Sequence, residues 1–319
     1  MRCYLRSLLI VAAIGLFATP NGFCQEGPWK DMKAKSERNY EDRKYAEAEA
    51  NAKQALEMAE KTFGPEDARV AESLALLARM YKIQGKLDQA EPLLKKALAI
   101  NEKAFGADAP AIADSAADLG ALYHAQDKIA DAESLYKRVL AIDEKNPAKD
   151  RTVVSETLDN LAILYLNQGK QAEAEALMKK AVDTLEKAHG PDHPGIAASL
   201  NNLSTLYAEQ GKLGDAFSLQ QRALGIVEKS VGSDHPEAAV YLQNLAGLEA
   251  MMGKDSDAET HLKRALVIVE KTEGPEDPFM VDILDQLAGL YRRTGKTDEA
   301  EKLQMKAQGL RSKPGHKDR

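Results

Sequence analysis

A lysine recurs every 42 residues along the chain, at Lys44, Lys86, Lys128, Lys170, Lys212, Lys254 and Lys296, with no insertion or deletion between the first and the last. Four residues after each stands an alanine: Ala48, Ala90, Ala132, Ala174, Ala216, Ala258 and Ala300. So strict a period overrides the expectation of two ordinary globular domains that 319 residues would otherwise raise. It calls for one array of near-identical units, each burying its apolar face against the next, and it puts function on an extended repeated surface.

One copy, Val70 to Phe105, shows what the unit is. Leu74, Leu77, Ala78 and Tyr81 recur at three- and four-residue spacing, the mark of one buried helical stripe, and the pattern stops at Gly85. It resumes at Ala90, Leu93, Leu94, Ala97 and Leu98 and predicts a second helix reaching about Lys103. Each unit is therefore a helix–turn–helix hairpin and the chain all-α. Repeat turns fall at 43, 85, 127, 169, 211, 253 and 295; five of these are glycines suited to a left-handed helix end, whereas Arg43 and Asp127 predict less relaxed turns. Between units, strings such as GPDHP at Gly190 and GSDHP at Gly232 place Pro194 and Pro236 where a helix starts, with Pro110 and Pro278 in matching places. Ala90 and Ala97, and their alanine or valine copies, let paired helices approach closely.

The spacing of a leucine and a small residue before Tyr81, then Ala90, then Ala97, resembles the tetratricopeptide repeat, lengthened from its usual 34 residues to 42. The string LNNLSTLYAEQGKLGDAFSLQQRAL, Leu200 to Leu224, preceded by GPDHP, resembles the 42-residue repeats of kinesin light chains and their bacterial relatives. The resemblance covers roughly Trp29 to Arg311. It implies a right-handed superhelical solenoid of about seven antiparallel hairpins, and it is specific as to fold rather than function. The ends read as caps: Trp29 to Asp42 is rich in charge where later copies have leucine, and the last helix has Gln304 and Gln308 where a next repeat would demand apolar residues.

Outside the array, Arg2 and Arg6 precede an apolar run from Leu8 to Ala18, which Thr19, Pro20, Asn21 and Gly22 break. This reads as a secretory signal peptide over 1–24, with the mature chain starting at Gln25, a short linker over 25–28, the array over 29–311 and a basic disordered tail over 312–319. The run is too short to span a bilayer, so no stable membrane insertion is expected once the leader is cleaved. A lipid on Cys24 is the rival, disfavoured by bulky Phe23. Both cysteines, Cys3 and Cys24, lie in the leader, so the exported periplasmic or secreted form would hold no disulfide.

The formal charge of −7 would become more negative by two on loss of Arg2 and Arg6. No basic stripe offsets it, and nucleic acid is excluded as a partner. The string GLYRRTGKT, Gly289 to Thr297, misses the spacing of a phosphate-binding loop and straddles a helix end. His193 and His235 occupy equivalent loop positions, but stacked repeats separate them by about 10 Å, too far to share a metal, and they are expected to order the loop instead. His124, His189, His261 and His316 have no clustered ligands, and no nucleophile arrangement is evident. No enzyme activity, cofactor or metal is expected.

In the resembled family the first helix of each pair lines a concave groove. One position on these helices departs from the apolar stripe: Leu76, Asp118, Asn160, Asn202, Asn244 and Gln286. An amide offers a carbonyl and two N–H groups, a match for an extended peptide backbone, and the resemblance implies a ligand-clamping role for Asn160, Asn202 and Asn244. The other reading is that each amide bonds within its own or the neighbouring helix and fixes repeat packing. Flanking residues are acidic, Glu72, Asp114, Glu156 and Asp159 towards one end and Asp282 and Asp285 towards the other, with Ala198 and Val240 between. The expected partner is a protein or peptide, a neutral or basic extended segment with an apolar middle. The alternative is an architectural spacer or assembly subunit of an envelope complex, joined through its capped ends or convex face.

Overall fold

A computed structural model describes residues 22–145 and 151–312. Of the leader expected over 1–24, residues 1–21 lie outside the described residues and 22–24 belong to the first helix; of the tail expected over 312–319, residues 313–319 lie outside them. Among the described residues the regular elements are helices, and no helix is long and apolar enough to cross a membrane. They run α1 (Gly22–Glu41), α2 (Tyr45–Phe63), α3 (Ala68–Ile83), α4 (Leu87–Phe105), a 3-10 turn at Pro110–Ile112, α5 (Ala113–Ala125), α6 (Ile129–Lys145), α7 (Thr152–Asn167), α8 (Gln171–His189), α9 (Pro194–Glu209), α10 (Leu213–Val231), α11 (Pro236–Met251), α12 (Asp255–Thr272), α13 (Phe279–Arg293) and α14 (Thr297–Arg311). Taken in chain order these are seven hairpins, α1–α2 through α13–α14. Residues 25–28, expected as a linker, are instead part of α1, where Glu26 binds both Lys30 and Arg69 of α3.

The described residues fall into two compact units, one up to residue 122 and the other from residue 123. In the first, α1 packs on α2, α2 on α3 and α3 on α4, and Trp29 is buried against Phe63 with its indole N–H donating to Ser73 Oγ at 2.8 Å. In the second, α7 to α14 alternate contacts within a hairpin with contacts to the next, and one continuous core runs from Leu185 to Leu310. The alanine of the period is fully buried in all seven copies, from Ala48 to Ala300. So are Ala55, Ala97, Val139, Ala181, Ala223, Ala265 and Ala307, one face further along. Side chains this small set how close the helix axes come.

The turn explains the lysine. At Gly211 the backbone is left-handed, φ +75°, the N–H of Lys212 donates back to Tyr207 O at 2.8 Å, and the lysine's own carbonyl accepts from Ala216 at 3.0 Å. One residue thus closes the first helix and opens the second. The same pair of bonds recurs at the other six lysines. Arg43 and Asp127 take the left-handed conformation too, both at φ 59°, against the steric preference of a side chain.

The lysine side chain has work of its own, which its period did not reveal. Lys296 Nζ lies 4.7 Å from the centre of the Tyr291 ring and 2.8 Å from Glu259 of the preceding hairpin. Tyr291 OH donates to the same carboxylate at 2.8 Å, and Lys263 approaches it at 2.6 Å. Lys263 first and Lys296 next hold the Glu259 carboxyl down at about 2. Glu49 with Lys53 and Lys86, and Glu175 with Lys179, Tyr207 and Lys212, repeat the clamp. One boundary departs from it. Phe217 stands where the glutamate belongs, with Lys254 4.5 Å over its ring, and Glu249 replaces the tyrosine. Glu249 is 2% exposed and pairs with His261 Nδ1 at 2.7 Å, where other repeats carry leucine or asparagine.

Two outcomes follow for stability. Asp127→Gly is expected to stabilise the fold by about 0.5–1 kcal/mol in urea denaturation, since it relieves a left-handed side chain. His261→Leu should destabilise by about 2 kcal/mol because the buried Glu249 carboxyl loses its hydrogen-bond partner, and adding Glu249→Tyr should recover most of that loss.

Candidate functional site

In the second unit the first helices of the hairpins lie beside one another. α7 contacts α9 and α11 contacts α13, while a hydrogen bond from Asn244 Nδ2 to Asn201 Oδ1 at 2.8 Å joins α11 to α9. Residues i and i+4 share a helix face, so each helix presents two rows to solvent. One row is Glu156, Ala198, Val240 and Asp282, all exposed, with Val240 at 42%. The other is Asn160, Asn202, Asn244 and Gln286, half-buried at the first two and exposed at the last two. An acid, two apolar residues and an acid therefore run alongside four amides.

The amides are not equivalent. Asn160 and Asn202 are half-buried and make no side-chain hydrogen bond within the described protein, so the fold leaves their carbonyls and N–H groups unsatisfied. Asn244 is tied to Asn201, and there the packing reading of the amide row holds. Sequence reasoning missed Asn201. A usable signal existed, since the position before the amide row is also polar in four successive copies: Asp159, Asn201, Gln243 and Asp285.

Two of the acids expected to flank a ligand, Asp159 and Asp285, occupy other settings. Asp159 is buried between α7 and α9, where Ser199 Oγ donates to its Oδ2, and its Oδ1 has no partner. Burial pushes its carboxyl up to about 7, against the lowering effect of Ser199, and nearby Glu156 pushes it the same way. Asp285 is half-buried and pairs with Arg311 of α14. In the first unit Leu76 is buried, whereas Asp118 is exposed. Surrounding protein moves the Asp118 carboxyl upward and Lys82 opposes it; because solvent reaches the group, screening limits both effects. Asp282 remains exposed on α13.

Charge is divided between the two helix layers. α7, α9 and α11 contain no lysine or arginine, while α8 carries Lys179, Lys180 and Lys187, α10 carries Arg222 and Lys229, and α12 carries Lys263, Arg264 and Lys271. Arg293, at the end of α13, pairs with Asp255. The exposed rows form an acidic and amide-bearing surface, whereas the second helices carry their basic residues interspersed with acids such as Glu175, Asp183, Glu228 and Glu259.

The Tetratricopeptide repeat profile matches residues 39–103, 77–145, 153–229, 206–271 and 237–313. No curated protein matches the sequence. Among solved structures, BtubC (BKLC) from P. vanneervenii is 21% identical with a TM-score of 0.58, covering 78% of this chain and 92% of its own. Nearly identical TPR-like repeats of the kinesin light chain type from Podosopora anserina are 25% identical with a TM-score of 0.50, covering 65% of this chain and 99% of theirs. A Rap protein complexed with Competence and Sporulation Factor is 14% identical with a TM-score of 0.62, covering 89% of this chain and 75% of its own.

The buried carboxyl of Asp159 sets a pH dependence. Its folded value is raised, so as pH climbs from about 4 the unfolded chain ionises first, and the fold loses stability until about pH 7. Asp159→Asn removes this titration. Its stability advantage over the unsubstituted protein, read by urea denaturation, is expected to widen from about pH 4 to about pH 7 and stay constant above.

Proposed function

The chain belongs to the tetratricopeptide repeat family, and on that premise we propose that it is a non-enzymatic scaffold holding an extended segment of a partner protein across α7, α9, α11 and α13. The observation that carries this reading is the pair Asn160 and Asn202, equivalent residues of contacting helices whose amides the fold leaves without a partner. A helical ligand would have its backbone groups already satisfied, whereas an extended one arrives with N–H and C=O groups to pair. The neighbouring row supports the rest. Glu156 and Asp282 lie at its ends, Ala198 and Val240 between, and the absence of lysine and arginine from α7, α9 and α11 favours a neutral or basic segment with an apolar middle. That a chain of similar fold is complexed with a separate factor is consistent with such a role.

We place the protein outside the cytoplasm, in the periplasm or the medium, on the strength of Arg2, Arg6 and the apolar run from Leu8 to Ala18. The architectural alternative draws on α14, whose outward side leaves Met305 64% exposed beside Gln304 and Gln308, a face through which the array could join another subunit.

Each groove bond is worth only about 0.5–1.5 kcal/mol, so two amides support modest affinity. Asn160→Ala with Asn202→Ala is expected to reduce partner capture about tenfold from the native cell, with a melting temperature unchanged within about 2 °C. Unchanged capture together with a lowered melting temperature would assign these amides to packing instead.

A further inference from the structure

His193 precedes α9, and its Nδ1 accepts the N–H of Gly195 at 3.3 Å. His235 precedes α11 in the same way, its Nδ1 accepting the N–H of Glu237 at 3.3 Å. Among the equivalent positions, Ala109 and Arg151 make no side-chain cap, whereas two other repeats use an aspartate. Asp67 Oδ1 accepts from Arg69 N–H at 2.9 Å before α3, and Asp277 Oδ1 accepts from Phe279 N–H at 2.9 Å before α13. Two neighbouring hairpins thus carry an imidazole cap where two others carry a carboxylate.

The exchange matters because the two groups accept under different conditions. A carboxylate keeps its lone pairs and its favourable charge at a helix start throughout the neutral and mildly acid range. An imidazole accepts only while Nδ1 carries no proton; once protonated it has two donors and no acceptor, and it sets a positive charge against the positive end of the helix dipole. Histidine is the side chain whose charge changes in this range.

The neighbouring charges leave little to offset such a change. His193 stacks on His189 of α8, ring centres 4.5 Å apart, so an imidazolium there faces another imidazole. Asp192 is paired with Lys229 of α10, and Glu186 of α8 with Arg222 of α10 at 2.5 Å. Beside His235, Asp234 is paired with Lys271 of α12 at 3.1 Å and Glu228 of α10 with Arg264 of α12 at 2.6 Å, which leaves Glu237 in the first turn of α11.

We propose that His193 and His235 form an acid-sensitive latch on the binding surface: a solvent proton taken up at each Nδ1 breaks the N–H···N bond and loosens the first turns of α9 and α11, which lead directly into Ala198 and Val240. The regulatory meaning of the latch rests on the groove reading above; its mechanics do not. α3 and α13, capped by aspartate, are built to stay closed under the same conditions and serve as internal references.

Amide hydrogen exchange on the full chain at about pH 7.5 and about pH 5.5, corrected for intrinsic chemistry, tests it. Protection over 194–200 and 236–242 is expected to fall about fivefold in acid, while the starts of α3 and α13 hold. The variants His193→Asp with His235→Asp, and separately His193→Asn with His235→Asn, should abolish the loss; the asparagine pair guards against an effect of added negative charge. A loss of protection equal in the unsubstituted protein and both variants, or none in the unsubstituted protein, overturns the latch. Exchange needs no partner, so a working latch with capture indifferent to Asn160→Ala and Asn202→Ala would overturn the groove reading alone.

Discussion

The architecture depends on one residue serving two helices. The lysine of each turn gives its N–H to the carbonyl five residues back and its carbonyl to the alanine four residues on, with a left-handed residue before it. A turn closed in this way admits no slack, so the first and second helices start in fixed phase. The alanine is then buried, and at Lys86, Lys212 and Lys296 the lysine side chain lies over a tyrosine of its own hairpin and beside a glutamate of the one before. A one-residue insertion would rotate everything after it by about 100° around the helix, which is why the period tolerates none across seven copies.

That rigidity makes the exceptions informative. Where Glu249, His261 and Phe217 replace tyrosine, leucine and glutamate, a shared surface clamp has become a carboxyl–imidazole hydrogen bond and an aromatic contact. The replacements lie on three different helices, yet they compensate one another, as residues in one packing unit must. The histidine caps at His193 and His235 are a second departure, and the amides at Asn160 and Asn202 a third. All three fall within the second unit, where the first helices also lack basic residues from α7 to α11.

Much of this was legible from spacing. The seven turns, the buried alanines, the hairpins and the ordering role of His193 and His235 follow from a period read against helix geometry, because those positions are constrained by local backbone bonds. The candidate surface was legible only in outline. Asn160 and Asn202 sit where their row predicts, but Asn244 binds Asn201, Asp159 is buried on Ser199, and Asp285 is held by Arg311. Nothing in the row itself distinguishes an amide that faces solvent from one that reaches a neighbour, since the distinction lies in a residue 43 positions away. The linker expected at 25–28 failed for a related reason, as Glu26 is drawn into α1 by an arginine of another hairpin.

Sequence alone determined the fold class, the register of every turn and the residues that pack at each crossing, because a helix places side chains by counting and a strict period counts the same way each time. Tertiary structure alone decided which polar groups remain available. Whether a carboxylate or an amide is spent inside the stack depends on what the adjacent repeat presents within about 3 Å, and that distance is set by how the hairpins pack.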